Sequence, residues 1–457
     1  MSTFHSKQAH KILKNSEKIT RHDQTFWSVR MKRDTMATQL PEWEELREKA
    51  SEIKRHVVSH LADYLEQFSS ALEKNGVIVH WAQDANEFNE IVYGILREHN
   101  VKKLVKSKSM LTEECEMNAF LESKGLDVVE TDLGERILQL MHKKPAHIVM
   151  PAIHITREEV GRMFEEKGIS KEIGNYDPTY LTQCARIHLR NQFLEADAGM
   201  TGCNFGVAKT GDIVVCTNEG NADMSTSLPK LHIVGMGIEK LVPDYDSLAI
   251  FQRLLARCGT GQPTTTFTSH FRKARPGAEM HVVLLDNGRS DILGNSTHWE
   301  TLKCMRCGAC MNTCPVYRRS TGYSYSYFIP GPIGINLGML KNPKLHSGNV
   351  SACSLCLSCN NVCPTKVNPG TQIYAWRQQL DSLGTANPAK KLISEAMKVT
   401  YEHHNLLAAA LKTAPIVNLL PHSLTENAHL DPWAVGHNLP TFSKESFETM
   451  WKKGKVK

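Results

Sequence analysis

Eight of the thirteen cysteines lie within about sixty residues of one another, and this concentration limits the possible folds of the chain more than any other feature. They form two runs with the same spacing, C-x2-C-x2-C-x3-C, and proline follows each run directly. Every cysteine of the second run lies 49 positions after its counterpart in the first. The runs are Cys304, Cys307, Cys310 and Cys314 before Pro315, and Cys353, Cys356, Cys359 and Cys363 before Pro364.

This spacing is typical of bacterial ferredoxins that bind two [4Fe-4S] clusters. Three thiolates at every third position lie on a tight loop around one cluster, while the fourth cysteine points away and binds the other cluster. Carried over to this chain, the pattern predicts two [4Fe-4S] clusters with crossed ligands. Cluster 1 would be bound by Cys304, Cys307, Cys310 and Cys363, and cluster 2 by Cys353, Cys356, Cys359 and Cys314.

Zinc sites and disulfides suit these cysteines less well than clusters do. Two structural zinc sites would need four ligands each. The third cysteine of each run and the proline after the fourth, at this spacing, suit zinc poorly. A disulfide framework is typical of secreted proteins, and the polar N-terminal segment 1–14 has no apolar signal core. Pro315 and Pro364 would turn the backbone away from each cluster, and Gly308 would allow a close approach.

A pair of clusters predicts an electron relay rather than a complete enzyme. A cluster carries one electron at a time and does not remove hydride from a substrate unaided, so the substrate chemistry requires a second centre.

The chain is long enough for several compact units, since 457 residues exceed what one hydrophobic core usually contains. Its first segment is expected to be an extended arm, anchored by Phe26 and Trp27. We predict four segments: an N-terminal arm over 1–44, an α/β domain over 45–295, a helical, two-cluster ferredoxin-like domain over 296–372, and a helical C-terminal extension over 373–457.

Hydrophobic periodicity within 45–295 alternates between strand-like and helical segments, which is typical of a mostly parallel sheet covered on both faces. The predicted helices are 43–74, 84–100 and 113–123, with 373–399 and 402–413 after the cysteine region. The predicted strands are 77–80, 103–106, 127–130, 148–151, 213–216 and 281–286.

Polar residues that follow two of these strands are candidates for ligand binding, because ligands bind at the carboxyl ends of strands in open α/β sheets. The chain has neither a G-x-G-x-x-G fingerprint nor a G-x-x-x-x-G-K-[ST] loop, so nicotinamide and nucleoside triphosphate sites are not supported. Glu219 could be a catalytic carboxylate, although a structural role is favoured. The other candidates are Lys106, Ser107, Lys108, Ser109 and the run 217–221.

The remaining cysteines and several histidines lie in or beside apolar segments and are predicted to be packed side chains. These are Cys115, Cys184, Cys203, Cys216 and Cys258, with His80, His147, His154, His232 and His281.

Charge and hydropathy exclude other classes of function. A net charge of +6 is modest for this length and does not indicate a nucleic-acid-binding protein. No apolar stretch is long enough to predict a transmembrane span, because Lys412 and Pro415 interrupt the best candidate, 406–420. We predict a cytoplasmic protein, with the inner membrane face as a site of peripheral contact.

Beyond the cysteine runs, short segments occur in an order that resembles the lactate utilization protein B family, the iron–sulfur subunit of a bacterial L-lactate oxidation system. The most discriminating segment is Thr-Asn-Glu-Gly-Asn at 217–221. The resemblance extends from about Trp43 to Trp451. Its other segments are Val-His-Trp-Ala at 79–82, the segment 229–234, Pro432 with Trp433, and Ser446 with Phe447.

The resemblance implies an α/β domain related to sugar-phosphate isomerases and coenzyme A transferases. It also implies two companion subunits, a cysteine-rich protein of the heterodisulfide-reductase type and a smaller protein with the same α/β domain. Together they would oxidise L-lactate to pyruvate, with this chain as the electron conduit and a non-catalytic or co-catalytic subunit. The lactate-binding subunit and the electron acceptor stay open, and so does the alternative that the α/β domain is a transferase or isomerase with regulatory clusters.

Overall fold

A computed structural model describes residues 3–385, 388–421 and 441–456. The chain divides into two compact units, one that ends at Leu383 and one that begins at Gly384. The first unit contains the strands and both cysteine runs. Pro432 and Trp433, which contribute to the family resemblance, lie outside the described residues.

Ten strands form two sheets in the first unit. In chain order they are β1 Ile78–Ala82, β2 Lys103–Lys106, β3 Asp127–Glu130, β4 Ala198–Thr201, β5 Phe205–Val207, β6 Asp212–Thr217, β7 Leu231–Gly237, β8 Leu241–Val242, β9 Phe267–Phe271 and β10 Glu279–Leu285. The main sheet has the order β1-β10-β7-β4-β2-β3, and all its neighbouring strands are parallel. The second sheet has the order β8-β5-β6-β9. The predicted α/β domain with a parallel sheet is confirmed.

Both faces of the main sheet are covered, as alternation along β10 shows. Val283 and Leu285 pack in one hydrophobic cluster with Phe88, whereas Val282 and Leu284 pack in another with Phe68. Successive side chains of a strand point to opposite faces, so one apolar strand supplies both clusters.

Helices connect the strands and continue through the cysteine region. In the first unit they are α1 Phe4–Leu13, α2 Ser16–Thr38, α3 Trp43–Ser59, α4 Leu61–Lys74, α5 Ala85–Glu98, α6 Met110–Glu114, α7 Met117–Ser123, α8 Leu133–Leu140, α9 Arg157–Glu166, α10 Pro178–Leu194, α11 Asn221–Ser227, α12 Tyr245–Gly259, α13 Arg289–Leu293, α14 Ala309–Thr313, α15 Pro315–Ser320, α16 Gly331–Lys341, α17 Pro343–Ala352, α18 Ser358–Val362 and α19 Pro369–Gln379. Short 3-10 helices are Ile238–Lys240, Trp299–Lys303 and Gly322–Ser324. The second unit contains α20 Pro388–Glu402, α21 His404–Thr413, a 3-10 helix Ala414–Leu419 and α22 Phe447–Lys452.

The N-terminal segment is not the extended arm that the sequence predicted. It forms α1 and α2, and Asn15 caps α2 by accepting a hydrogen bond from the Lys18 N–H. Phe26 is fully buried and packs against the rings of His147 and Tyr317, whereas Trp27 is 53% exposed. The segment is therefore part of the first unit's core. The apolar pattern hid this, because several inward-facing residues of α2 are polar.

Four further predictions were wrong in detail. The predicted helix 113–123 is interrupted at Cys115 and Glu116, where Glu116 has a left-handed φ of 49°, and it is divided between α6 and α7. The segment 148–151 is a turn, because Val149 and Met150 donate their N–H groups to Nδ1 of His147 and cannot join a ladder. The predicted helix 43–74 breaks at His60, which separates α3 from α4. The predicted helix 373–399 is likewise divided between α19 and α20. The predicted domain boundaries stay predictions.

None of the helices in the described ranges is long and apolar enough to cross a membrane.

Candidate iron–sulfur centre

The two cysteine runs have the same local backbone conformation. In the first run Arg306 and Gly308 have left-handed φ angles of 60° and 80°, and in the second run Leu355 and Leu357 have φ angles of 54° and 58°. These residues lie immediately before and after the second cysteine of each run. A left-handed turn on each side curls the loop, so thiols at every third position can face one centre.

Backbone N–H groups donate hydrogen bonds to four cysteine sulfurs, two in each run. The donor and acceptor pairs are Arg306 with Cys304 (3.4 Å), Tyr317 with Cys314 (3.5 Å), Leu355 with Cys353 (3.3 Å) and Val367 with Cys363 (3.3 Å). Such bonds stabilise thiolate, the form of cysteine that binds iron, and they tune the potential of a bound cluster.

The fourth cysteine of the second run lies near the first run. Burial raises the pKa of Cys363, and a charge on Cys304 raises it further. A charge on Cys363 also raises the pKa values of Cys307 and Cys310, in addition to the larger effect of burial on both thiols. Cys363 is therefore within electrostatic range of the first three cysteines of the first run.

The reciprocal relation holds for the first run. Burial raises the pKa of Cys314 to about 12, with contributions from charges on Cys353 and Cys356. Burial likewise raises the pKa of Cys359, and a charge on Cys314 is the largest electrostatic contribution there. Charges on cysteines of one run therefore affect thiols of the other in both directions, and the pKa of Cys310 is also raised by a charge on Cys359.

The residues present fit a pair of iron–sulfur clusters. Buried thiols this close together resist ionisation, so they need cationic iron to be held as thiolates. Two arginines also donate hydrogen bonds to backbone carbonyls at the end of the second run. Arg47 is buried and donates to the Cys363 carbonyl from Nη2 (2.9 Å) and Nε (3.1 Å). Arg33 donates to the Val362 carbonyl at 3.4 Å.

The two runs differ in their exposure to solvent. Cys307 is buried, and so is the neighbouring Gly308. At the equivalent positions of the second run, Cys356 is the single exposed cysteine of the thirteen, and Leu357 is 43% exposed. At its second cysteine the first run is therefore enclosed, and the second run reaches the surface. The other cysteines are half-buried in the first run, and in the second run Cys353 is half-buried whereas Cys359 and Cys363 are buried.

Helix α14 attaches the first run to the α/β domain through one asparagine. The Asn312 amide donates to the Gly259 carbonyl at 2.9 Å, and its Oδ1 accepts from Nε2 of His147 at 3.0 Å. His147 in turn accepts the two N–H groups of the turn at 148–151 through Nδ1, which leaves Nε2 as the donor. The counterpart of Asn312 in the second run, Asn361, is exposed.

A cavity of about 540 Å³ adjoins the first run at the carboxyl ends of the main-sheet strands. It brings together candidates that follow β2 of the main sheet, as the α/β pattern predicted, and candidates that follow β6 of the second sheet. Arg306 and Cys307 of the first run complete part of its wall. The sequence candidates among its lining residues are Lys108, Ser109, Thr217, Asn218, Glu219 and Asn221, with Cys203 and Cys216.

Glu219 is a perturbed carboxyl in this cavity. Burial raises its pKa to about 7, and the neighbouring Asp132 contributes to the increase. Its Oε2 accepts a hydrogen bond from the Leu133 N–H at 3.0 Å, which is a structural contact at the start of α8. Lys108 lies nearby and pairs with Asp132 at 3.0 Å.

Two candidates from the same segment lie outside the cavity. Lys106 is fully buried and pairs with Glu130 at 2.7 Å, and Ser107 is buried after the end of β2. Burial alone would lower the pKa of Lys106, but the charges of Glu130 and Glu135 raise it above its usual value. Lys106 is therefore a structural cation.

The predicted packing of the scattered residues agrees with their surroundings. His154 bonds the Tyr323 hydroxyl at 2.8 Å, and His232 bonds the Thr201 hydroxyl at 3.0 Å. Burial raises the pKa of Cys203 to about 12, which leaves an unreactive thiol. Cys115, Cys184 and Cys258 are buried, and burial raises the pKa of Cys216 to about 11.

Sequence reasoning missed several residues of the site. Arg47 and Asn312 depend on contacts between segments that are far apart in the chain, so no local pattern marks them. Lys240 also lines the cavity and forms no ion pair or hydrogen bond within the part of the chain that the structure describes. Only the position of Asn312 within a repeated motif offered a signal.

Comparison with protein families assigns the sheet region and the cysteine runs to two different family models. Residues 65–288 match the family model of the LUD domain, and residues 300–367 match that of the 4Fe-4S dicluster domain. The second match contains all eight cysteines of the two runs.

Three curated proteins are similar to this chain over most of its length. Lactate utilization protein B from Bacillus pumilus is 38% identical over 437 residues, which is 92% of this chain and 91% of that protein. Lactate utilization protein B from Shouchella clausii is 39% identical over 91% of this chain and 89% of its own. The Escherichia coli protein named "Uncharacterized electron transport protein YkgF" is 37% identical over 92% and 90%.

A crystal structure of a DUF162 family protein from Deinococcus radiodurans matches 49% of this chain and 98% of its own length. The identity is 13% and the TM-score is 0.28, which is too low to support a statement about this chain.

Proposed function

The chain belongs to the lactate utilization protein B family, and on that basis we propose that it is the iron–sulfur electron-transfer subunit of a complex that oxidises L-lactate to pyruvate. The match of 300–367 to a 4Fe-4S dicluster domain supports the redox role most directly. The name of the similar Escherichia coli protein, an electron transport protein, agrees with it.

The proposal includes two [4Fe-4S] clusters with crossed ligands. Cys304, Cys307, Cys310 and Cys363 would hold the first, and Cys353, Cys356, Cys359 and Cys314 would hold the second. The effects of Cys363 on the thiols of the first run, and of Cys314 on Cys359 of the second run, support this assignment. When bound, each cluster accepts and releases one electron at a time.

The difference in exposure between Cys307 and Cys356 suggests which cysteine run exchanges electrons with an external partner. The residues of the second run leave Cys356 at the surface, so a redox partner can approach that side. Cys307 of the first run is buried and lies against the cavity of the α/β domain. We therefore place exchange with the external partner at the second run.

The companions are proposed to be a cysteine-rich protein of the heterodisulfide-reductase type and a smaller protein with the same α/β domain. The complex would work in the cytoplasm, with a quinone, a flavoprotein or a soluble carrier as electron acceptor. The lactate-binding centre would lie in a companion or in the cavity beside the first run.

A second candidate function makes the α/β domain catalytic, and the cavity is the observation that favours it. A carboxyl with a pKa of about 7 is present in both protonation states near neutral pH, which suits a proton acceptor or donor. Glu219 has such a pKa and lines the cavity. The Leu133 hydrogen bond supports the structural alternative for the same residue.

Lactate oxidation with a dye acceptor distinguishes the two functions. We expect the anaerobically purified, cluster-loaded chain to reduce the dye only when both companions are present. We also expect Glu219→Gln to retain electron transfer from dithionite through the chain to the dye. Lactate-dependent reduction by the chain alone, abolished in Glu219→Gln and retained in Glu165→Gln on α9, would instead support the catalytic α/β domain.

A further inference from the structure

Three potential metal ligands meet at the amino ends of the main-sheet strands, the edge opposite the cavity. His99 directly follows α5, and Glu279 and His281 lie in the first half of β10. About 180 residues separate His99 from the other two, so only the folded chain brings them together. One candidate ligand atom from each residue lies within 4.8 Å of the other two.

The distances between these atoms match those between the ligands of a tetrahedral ion. His99 Nε2 lies 3.2 Å from Glu279 Oε2, and His281 Nε2 lies 3.5 Å from the same oxygen. Zinc bonds to nitrogen and oxygen are about 2.0–2.1 Å long, which places tetrahedral ligands about 3.3–3.4 Å apart. The three side chains therefore need little rearrangement to bind a small divalent ion.

Hydrogen bonds at the far side of each ring leave the correct nitrogen available. His99 Nδ1 lies 2.9 Å from the Ile95 carbonyl and must donate to it. In the neutral ring Nε2 therefore carries the lone pair that would bind an ion, whereas in the protonated ring it donates to Glu279 Oε2 at 3.2 Å. His281 Nδ1 lies 3.0 Å from Nε2 of His80. His281 Nε2 is buried, and Glu279 Oε2 at 3.5 Å is too far away for a well-formed hydrogen bond, so a bound ion would satisfy this nitrogen better than the carboxylate does.

We propose that His99, Glu279 and His281 bind one divalent ion of the zinc class through two imidazole nitrogens and one carboxylate oxygen. Borderline metals favour this donor set, whereas iron–sulfur clusters require thiolates. The side chain of His281 is 7% exposed and that of Glu279 is 56% exposed, so the fourth position faces solvent and takes water. His80 is a positioning residue that fixes the ring of His281.

Zinc titration of the cluster-loaded, full-length chain tests the site. With competition from a chromophoric chelator under anaerobic conditions, we expect about one zinc per chain. His281→Gln should weaken binding at least about 100-fold, and His80→Ala, which removes an outer hydrogen bond, about 10- to 100-fold. His188→Gln on α10 makes the same chemical change at a histidine outside the group, and it should retain the wild-type affinity.

X-ray absorption at the zinc edge identifies the ligands independently of affinity. We expect nitrogen and oxygen neighbours at about 2.0–2.1 Å with imidazole scattering. Sulfur neighbours at about 2.3 Å would overturn the proposal, because they would place the zinc on cysteines. Equal zinc affinity in wild type and His281→Gln, with the iron content unchanged, would also overturn it. The iron content and the cluster spectra report separately on the proposed electron transfer, which either result leaves standing as long as both clusters remain bound.

Discussion

The two cysteine runs share one sequence pattern and one backbone conformation but lie in different environments. Gly308 and Leu357 occupy equivalent positions with left-handed φ angles of 80° and 58°. A β-carbon at Gly308 would meet His147 Cε1 at 3.1 Å, whereas the Leu357 side chain extends toward solvent. The repeat therefore determines how ligands are presented, and the surrounding helices and sheet determine which half is enclosed.

This difference explains how one motif can serve two purposes. The enclosed first run borders the cavity and is fastened to the α/β domain by Asn312. The second run keeps Cys356 at the surface, where an external partner can approach. Low solvent exposure and nearby charges both change the potential of an iron–sulfur cluster, so two equal ligand sets need not be equal redox sites.

Replacing the fourth cysteine of either run gives the largest expected effect. If ligation is crossed, Cys363→Ser should remove the cluster that is otherwise held by the first run, with a loss of about four of about eight irons. Cys314→Ser should remove the other one. Electron paramagnetic resonance of the reduced proteins identifies the surviving signal, and Cys184→Ser is the control because Cys184 packs among apolar residues. Loss of the second-run signal in Cys363→Ser would contradict crossed ligation.

Substitutions at Asn312 and at its counterpart Asn361 test whether the first run is attached more firmly than the second. Asn312→Ala removes two buried hydrogen bonds and should lower the free energy of unfolding by about 1–3 kcal/mol. Asn361→Ala, its exposed counterpart in the repeat, should change that free energy by less than about 0.5 kcal/mol. Anaerobic denaturant unfolding measures both variants. Equal losses would show that the first run is not anchored more firmly than the second.

Substitutions at Gly308 and Leu357, the equivalent left-handed positions, should give a smaller difference in stability. Gly308→Ala should destabilise the protein by about 1–2 kcal/mol, because alanine is strained at positive φ and its methyl group would crowd His147 and Val149. Leu357→Gly should change stability by less than about 1 kcal/mol, since it relieves strain while it removes a half-exposed side chain. Thermal unfolding with the iron content checked provides the measurement. A larger loss in Leu357→Gly would reverse the assigned environments.

Acid should weaken the enclosed half through His147. Burial lowers the pKa of this histidine to about 3, whereas an unfolded histidine titrates near 6.5. Between these values the unfolded chain binds the extra proton, so stability is complete above about pH 6.5 and falls as the pH decreases, by at most about 1.4 kcal/mol per pH unit. His147→Gln should make this part of the stability profile less steep, with the remaining slope due to other buried histidines such as His232. An unchanged slope would show that His147 does not control it.

The sequence predicted the parallel sheet because alternating strands and helices are a local pattern. The cysteine ligand set rests on a local pattern too and stays a prediction. The sequence did not reveal β4 or β5, which are short and contain Gly199 and Gly206 in place of branched residues. It also treated the first segment as an arm, although Phe26 lies in the core. The inward-facing positions His22 and Arg33 break the apolar pattern that marks a packed helix.

In the candidate site, too, local patterns predicted some residues, and contacts between distant segments place the others. Lys108 and Glu219 were both expected at strand ends and both line the cavity. Lys108 follows β2 of the parallel sheet, whereas Glu219 follows β6 of the second sheet, so their meeting depends on how the two sheets pack. Arg47 and the group formed by His99, Glu279 and His281 act through contacts across 180 or more positions, as the pairing of His99 with Glu279 illustrates. No spacing rule in a single sequence reaches that far.

Iron and acid-labile sulfide in the anaerobically purified chain test the central claim, that both cysteine runs hold [4Fe-4S] clusters. About eight irons and about eight sulfides per chain are expected if each run contributes to a complete cluster. Zinc bound to the cysteines in a chain without inorganic sulfide would contradict the claim, and the proposed role in electron transfer would have to be abandoned.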